Sequence, residues 1–302
     1  MARVLITGAT GFIGRACLDA LKTKDLEIHA TYRNRPIISN DISWHPCDIL
    51  NTADVSALIK KIKPDYLLHL AWIVDHKIYW TSEKNINYIY ATVHLYKEFS
   101  LQGGKKAIFL GTCAEYDSSH SICEENSTPL NPSTLYGICK KQTLALLTQL
   151  KQQEPNYANF SWVRLFNIYG PYEHHERLIP YLFTSYIQGK TPVLQSPYSI
   201  RDYIHVENLA NILVCLLNKN SPPIINVGSG NELSIENLAG IIHARFFRNQ
   251  KTIYQYSEHL KKPDCLVPDL TIFKKLNIQP RLSFESSLDN TFDWFKFHNT
   301  AI

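Results

Sequence analysis

At 302 residues, with 45% hydrophobic and 19% charged residues, the chain has an ordinary globular composition and length enough for one large domain or two modest ones. A formal charge of +4 is too small to indicate a nucleic-acid partner, and apolar runs such as 67–74 fall far short of a membrane span. The seven scattered cysteines, odd in number and without a Cys-x-x-Cys pair, fit reduced thiols in a cytoplasmic protein better than a disulfide framework or a zinc site.

In chain order, Val4 to Ile6 reads as a strand, Gly11 to Leu21 as a helix and Ile28 to Tyr32 as a second strand. Strands follow over Asp65 to Ala71 and Lys106 to Gly111, with a helix over Asn85 to Leu101 between them. Pro132 and Ser133 open a further helix, whose Leu135, Ile138, Leu146 and Leu150 are expected to face the sheet; Asn159 to Ile168 is a last long strand. Short β-branched runs alternating with amphipathic stretches give a parallel sheet with crossover helices. Beyond Gly170 and Pro171 the texture becomes polar and proline-punctuated. The expected architecture is α/β, a Rossmann-like doubly wound parallel sheet with a smaller C-terminal lobe. The dinucleotide-binding domain takes 1–169 plus about 203–229, and the substrate-binding lobe about 170–202 and 230–302.

Between the first strand and first helix, Gly8, Gly11 and Gly14 recur at three-residue intervals. Such a turn lets backbone approach a pyrophosphate, whose charge the helix N-terminus favours. The spacing is Gly-x-x-Gly-x-x-Gly rather than the commoner Gly-x-Gly-x-x-Gly, and its place between strand and helix is what makes it specific. At the end of the second strand an NAD-selective site usually carries a carboxylate. This chain has Tyr32, Arg33, Asn34 and Arg35 instead. Guanidinium groups there suit a 2′-phosphate, so NADP(H) is favoured over NAD(H); the alternative is a solvated basic patch. Asp48, beyond the second strand, is a candidate adenine contact or a helix N-cap.

Tyr136 and Lys140 stand four residues apart and share one helix face. An ammonium stabilises phenolate, which brings the phenol closer to proton exchange near neutral pH. Beside a dinucleotide turn, the pair indicates hydride chemistry with a tyrosine acid/base.

With these residues the chain resembles the extended short-chain dehydrogenase/reductases, the NAD-dependent epimerase/dehydratase family, in its nucleotide-sugar branch. The resemblance rests on the glycine turn, 68–71 (Leu-His-Leu-Ala), 111–116 (Gly-Thr-Cys-Ala-Glu-Tyr), Tyr136-x-x-x-Lys140, 164–171 (Arg-Leu-Phe-Asn-Ile-Tyr-Gly-Pro), 201–206 (Arg-Asp-Tyr-Ile-His-Val) and 226–230 (Asn-Val-Gly-Ser-Gly). It implies that Thr112 holds the substrate oxygen, Tyr136 exchanges the proton, and Lys140 bonds the nicotinamide ribose and depresses the tyrosine pKa. The implied cofactor site comprises Gly8, Thr10, Gly11, Phe12, Ile13, Gly14, Arg33, Arg35, Asp48, Ile49, Leu70, Ala71 and Trp72 with Tyr136 and Lys140. Thr112, Cys113, Asn167, Arg177 and Arg201 are the implied substrate contacts, Asn167 and Arg201 near the diphosphate. Singly, each has a plain reading: a strand-end hydroxyl, a packed aromatic, a turn-stabilising amide, an ion pair with a neighbouring carboxylate.

Departures from the family's patterns narrow the reaction. The dehydratases carry Asp-Glu after the catalytic threonine, where this chain has Cys113 and Ala114, neither able to protonate a leaving hydroxide. The epimerase-reductases of the GDP-fucose route use a cysteine and a histidine; here the cysteine is displaced by one place, and Arg177 stands at the histidine's position. The expectation is an NADP(H)-dependent 4-ketoreductase of a nucleotide-linked 6-deoxy-4-keto sugar. The alternatives are an NAD-dependent 4-epimerase and, remotely, a non-catalytic NADP-binding sensor. The resemblance also suggests a homodimer. His174 and His175, between Glu173 and Glu176, carry no metal expectation, because adjacent histidines rarely point at one ion and no third ligand cluster is evident.

Overall fold

The aliphatic runs of the first two thirds become the strands of one parallel sheet. The computed structural model of the protein describes residues 1–36, 40–76 and 78–298. Strands β1 (Ala2–Thr7), β2 (Leu26–Tyr32), β3 (Ile42–Pro46), β4 (Tyr66–His69) and β5 (Lys106–Thr112) are joined by Asn159–Leu165 and Ile224–Val227. The seven-stranded order places β1 between β4 and β2, with β3 at one edge and Ile224–Val227 at the other. All pairings are parallel, Leu5 opposite His29 on one side and Leu67 on the other. Chain order reverses between β1 and β4, and at such a switch point strand ends diverge and leave a crevice at their carboxyl edge.

Helices cover both faces. Helix α1 (Phe12–Leu21) and the helix Val206–Asn218 bury Leu18, Leu21, Leu209 and Leu213 against Val4 and Ile6. On the other face α2 (Thr52–Ile62), α3 (Lys84–Leu101) and α4 (Leu135–Gln153) pack Ile59, Tyr96, Phe99 and Leu147 onto Leu5, Leu67 and Phe109. The clusters bury both sides of each central strand, which is why β1 and β4 read as continuous apolar runs without alternation. A third cluster, including Tyr169, Phe183, Leu238 and Phe295, is built from residues 169 onward.

Three details differ from the expectations. The strand expected over 159–168 ends at Leu165; Phe166 breaks the ladder, and Asn167–Tyr169 pairs instead with Ile200–His205 of a second sheet. In α4 the inward residues are Cys139, Thr143, Leu144 and Leu147, while Ile138 and Leu146 are 42% and 45% exposed. Leu135 and Leu150 of the expected stripe do pack on the core, but buried Lys140 and Thr143 take the place of Ile138 and Leu146 on the inward side. The N-cap of α2 is Asn51, whose side chain accepts from the amides of Ala53 and Asp54, so Asp48 does not cap it. Among the described residues no helix is long and apolar enough to cross a membrane.

Candidate active site

The glycine turn follows β1 at the centre of the sheet's carboxyl edge. Gly8 has φ +70°, and a Cβ there would lie 2.8 Å from the Ala71 amide nitrogen. Gly14 is tighter still, since its Cβ would meet the Gly8 carbonyl oxygen at 2.2 Å. The two glycines let α1 and the end of β4 close onto the turn. Below it, Thr7 Oγ1 bonds His69 Nδ1 at 2.7 Å and His69 Nε2 bonds Thr92 Oγ1 at 3.0 Å, which ties β1, β4 and α3 together. Burial lowers His69 to about 3, so the ring is neutral and serves this relay.

Helix α1 begins at Gly11 with no side-chain cap and no acidic residue in its first turn. Uncapped amides and the positive end of the helix dipole are complementary to an anion. The cradle therefore fits the pyrophosphate of a dinucleotide. Thr10, Phe12 and Ile13 are half-buried and Gly11 is exposed along this turn. Leu70 and Ala71 continue from β4 as its facing wall, Leu70 donating to the Thr7 carbonyl at 3.2 Å, whereas the Trp72 indole is buried in the core and donates to Asn85 at 2.8 Å. Arg33 and Arg35 are exposed at the end of β2, and Arg33 and Asp48 both act electrostatically on the Tyr88 hydroxyl. Ile49, by contrast, is buried in the core beneath this edge.

Thr112 closes β5 and caps the short helical turn Cys113–Glu115, accepting from the Ala114 amide at 3.2 Å. Its hydroxyl lies near enough to the Tyr136 phenol to act on it, so these two candidate catalytic groups come together. Tyr136 enters from the first turn of α4, which Thr134 caps by accepting from Gly137 at 3.1 Å. Tyr79 and Trp80 pack edge-on against its ring at 5.1 and 5.7 Å. This enclosure produces a correction. Burial pushes the Tyr136 phenol above its ordinary value; Tyr79 adds to the rise and the Thr112 hydroxyl opposes it. The expected depressed phenol is absent because Lys140 is turned elsewhere. Its ammonium donates to the Leu110 carbonyl at 2.8 Å and stands 3.7 Å over the Trp72 ring, against 5.8 Å from that of Tyr136. Burial lowers Lys140 to about 7, partly opposed by Glu115. The titratable group poised near neutrality is thus the lysine.

A wholly buried polar assembly supports Thr112 from behind. Glu115 Oε1 accepts from the Thr112 amide at 2.8 Å and from the Trp162 indole at 2.9 Å, while Glu115 Oε2 takes Arg164 Nε at 2.8 Å. Arg164 also donates to the Tyr116 hydroxyl at 3.0 Å, and Tyr116 donates to Asn226 Oδ1 at 2.8 Å. The sequence reading assigned no role to Glu115 or Arg164. The available signal was a lone arginine inside the apolar strand Asn159–Leu165, since a charge buried there requires a partner. Tyr79 and Trp80 also escaped it, as they lie on an irregular segment with no motif.

The substrate candidates are less convergent. Cys113 is half-buried and its thiol is pushed up to about 11 by burial, so it stays protonated. Arg201 lies close enough to Cys113 to oppose that rise, yet it makes a two-pronged pair with Asp264, both oxygens at 2.8 Å. That is the plain ion pair allowed from sequence. Asn167 donates to the Asp202 carbonyl at 3.2 Å, and the buried Asp202 carboxylate accepts from the Ser229 and Gly230 amides. Arg177 reaches across to the Tyr79 hydroxyl at 3.5 Å. Beside it, burial pushes Glu173 up to about 8 against the opposing Arg177. A cavity of about 750 Å³ lined by Asp25, Lys106 and Lys219 lies at the opposite, amino edge of the sheet and has no part in this constellation.

A dinucleotide cradle at the switch point of a parallel sheet, with a threonine and a Tyr-x-x-x-Lys helix beside it, defines the extended short-chain dehydrogenase/reductase class. Residues 4–228 match the NAD dependent epimerase/dehydratase family, and the chain belongs to it. Curated relatives include a UDP-N-acetyl-alpha-D-glucosaminuronate decarboxylase of Bacillus cytotoxicus, 26% identical, with 97% of this chain and 98% of the relative covered. A dTDP-4-dehydro-6-deoxyglucose reductase of Escherichia coli is 24% identical over 95% of each chain. Among solved structures, UDP-glucose 4-epimerase of Thermotoga maritima, determined with UDP-glucose, superposes with a TM-score of 0.85 at 19% identity, over 98% of this chain and 99% of that one.

Proposed function

We propose that the protein is an NADP(H)-dependent 4-ketoreductase of a nucleotide-linked 6-deoxy-4-keto sugar. The observation that carries this reading is the placement of the Thr112 hydroxyl at the end of β5 near enough to the Tyr136 phenol to act on it, beside the glycine cradle. Gly8, Gly11 and Gly14 with the α1 N-terminus would hold the pyrophosphate, and Arg33 and Arg35 the 2′-phosphate. A nicotinamide dinucleotide bound there supplies the hydride. Thr112 orients the sugar carbonyl oxygen by hydrogen bonding. Tyr136, kept protonated by burial, donates its proton to the oxygen as negative charge develops there. Lys140, close to neutrality in its ionisation, is suited to pass a proton back to Tyr136. Trp72, Tyr79 and Trp80 exclude water from the reacting groups.

Reduction rather than dehydration is supported by Cys113 and Ala114, because neither offers an acid for a leaving hydroxide. The same Thr112–Tyr136 pair serves a 4-epimerase, and the likeness to an epimerase fold keeps that reading in play. Stoichiometry separates them. With dTDP-, GDP-, UDP- or CDP-linked 4-keto-6-deoxy sugars, the reductase oxidises one NADPH per product formed. Interconversion of 4-epimers without net NADPH consumption would assign the epimerase instead. Equal or tighter binding of NAD(H) would remove the argument from Arg33 and Arg35.

The assembly proposed with this reading is a homodimer through α3 and α4. Ile86, Tyr90 and Leu101 on α3 and Ile138 and Leu146 on α4 are 42–67% exposed and offer an apolar surface to a second copy. A monomer in sedimentation at micromolar concentration would overturn it.

A further inference from the structure

The fold assembles a ligand set that the sequence keeps far apart. His76 follows β4 on the segment leading to Tyr79, whereas His174 and Glu176 lie on the turn after Asn167–Tyr169. One ligand atom from each of the three falls within 4.8 Å of the other two. The rings of His76 and His174 stack at 4.9 Å with 22° between planes. His76 Nδ1 is buried and makes no hydrogen bond. His174 Nδ1 stands 4.0 Å from a Glu176 carboxylate oxygen. Tertiary structure thus brings His76, remote in sequence, beside His174 and Glu176.

We propose that His76, His174 and Glu176 bind one divalent transition ion of the zinc class and so tie the two segments together at the mouth of the cleft. Two imidazoles and one carboxylate form a borderline donor set suited to zinc, with a fourth position left for water, and are poorly matched to the all-oxygen preference of calcium or magnesium. A tetrahedral ion bound at about 2.0–2.1 Å places its ligand atoms roughly 3.4 Å apart. His174 and Glu176 are exposed, and the His174 ring must turn out of its stack on His76 to aim an in-plane lone pair at the shared ion. Ligation requires neutral imidazole. The weak bond from the Glu176 amide to His174 Nδ1, 3.3 Å, would be exchanged for the ion where that nitrogen ligates. His175 stacks on His174 but belongs to the same turn, and it adds no connection between segments.

These two segments also hold the Tyr79 to Arg177 contact, and Tyr79 packs on Tyr136. A bound ion would therefore restrain the mouth of the cleft and slow turnover, a consequence that rests on the functional reading above; the metal site itself does not.

The test is titration of chelator-treated protein with Co²⁺, followed by the visible d–d bands of four-coordinate cobalt and by competition with Zn²⁺. Wild type is expected to bind one ion per chain with intense tetrahedral bands and a raised melting temperature. His76→Ala and His174→Ala should each weaken binding at least ~10-fold, since removing even an outer-shell partner typically costs ~10–100-fold. His175→Ala should bind as wild type does. Melting in chelator identifies any variant that fails to fold, and Glu176→Gln, at an exposed position, provides an independent ligand removal. His76→Ala binding cobalt as tightly as wild type would overturn the proposal, as would only weak six-coordinate bands. Zn²⁺ binding without any effect on turnover would leave the site standing and remove only its link to the cleft.

Discussion

Replacing Lys140 by methionine keeps the apolar stem of the side chain and removes its ammonium from a buried site. Burial takes the ammonium from 10.5 to about 7. At 1.36 kcal/mol per pH unit, that corresponds to an upper bound of ~5 kcal/mol against the charged form. The ring of Trp72 at 3.7 Å returns part of this, ~2 kcal/mol for a desolvated cation–π contact. The bond to the Leu110 carbonyl returns ~1.5 kcal/mol more. Lys140→Met should therefore stabilise the cofactor-free protein by ~1–2 kcal/mol at pH 6. The folded value lies below the unfolded one, so the unfolded chain binds the extra proton between about 7 and 10.5, and wild-type stability rises across that window. The advantage of the variant should accordingly shrink toward pH 10. Urea unfolding of both proteins at pH 6 and 9.5 reads the difference directly. The same variant should lose turnover by orders of magnitude, because the group that destabilises the resting protein is the one proposed to return the proton to Tyr136. Equal stabilities at pH 6, or a difference that does not change with pH, would refute the desolvation argument.

Tyr136→Phe should lower kcat at least ~100-fold with dinucleotide affinity retained, the range expected for losing a positioned acid; near-normal turnover in a coupled NADPH assay would overturn its role. Glu115→Gln leaves Arg164 unpaired in a site where both side chains are 0% exposed, and should cost ~3–5 kcal/mol in denaturant unfolding. Gly14→Ala and Gly11→Ala separate fold from cradle. The first drives a methyl to 2.2 Å from the Gly8 oxygen and should destabilise the protein measurably, whereas the second, at 3.3 Å from that oxygen, should fold normally and weaken only dinucleotide binding in fluorescence titration. Glu173→Gln should flatten a decline in stability between pH 4.5 and about 8, because the folded carboxyl, raised by burial, holds its proton across the window in which the unfolded one releases it.

The central sheet and the turn after its first strand were legible because both are written locally. Buried parallel strands need uninterrupted apolar residues, as in Val4 to Ile6 and Leu67 to Leu68, and a backbone cradle needs glycines at fixed offsets after a strand. Thr112, Tyr136 and Lys140 were legible for a different reason, since their order along the chain matches a pattern of known chemistry. Their electrostatics were not. Whether Lys140 lowers the phenol depends on where the ammonium points, and Trp72 and the Leu110 carbonyl decide that from β4 and β5. The face that α4 turns inward escaped sequence too, because the stripe through Ile138 and Leu146 is apolar yet exposed, while Lys140 and Thr143 are polar yet buried.

Local spacing and hydrophobic pattern thus determined the central sheet and the glycine turn, both set by residues within a turn or a strand of one another. Tertiary structure alone decided the pairing of Arg164 with Glu115, the engagement of Arg201 by Asp264, and the meeting of His76 with His174 and Glu176. Each joins positions at least 49 residues apart along the chain. Coulomb and ligand forces act over ångströms in space, and separation along a chain does not report them.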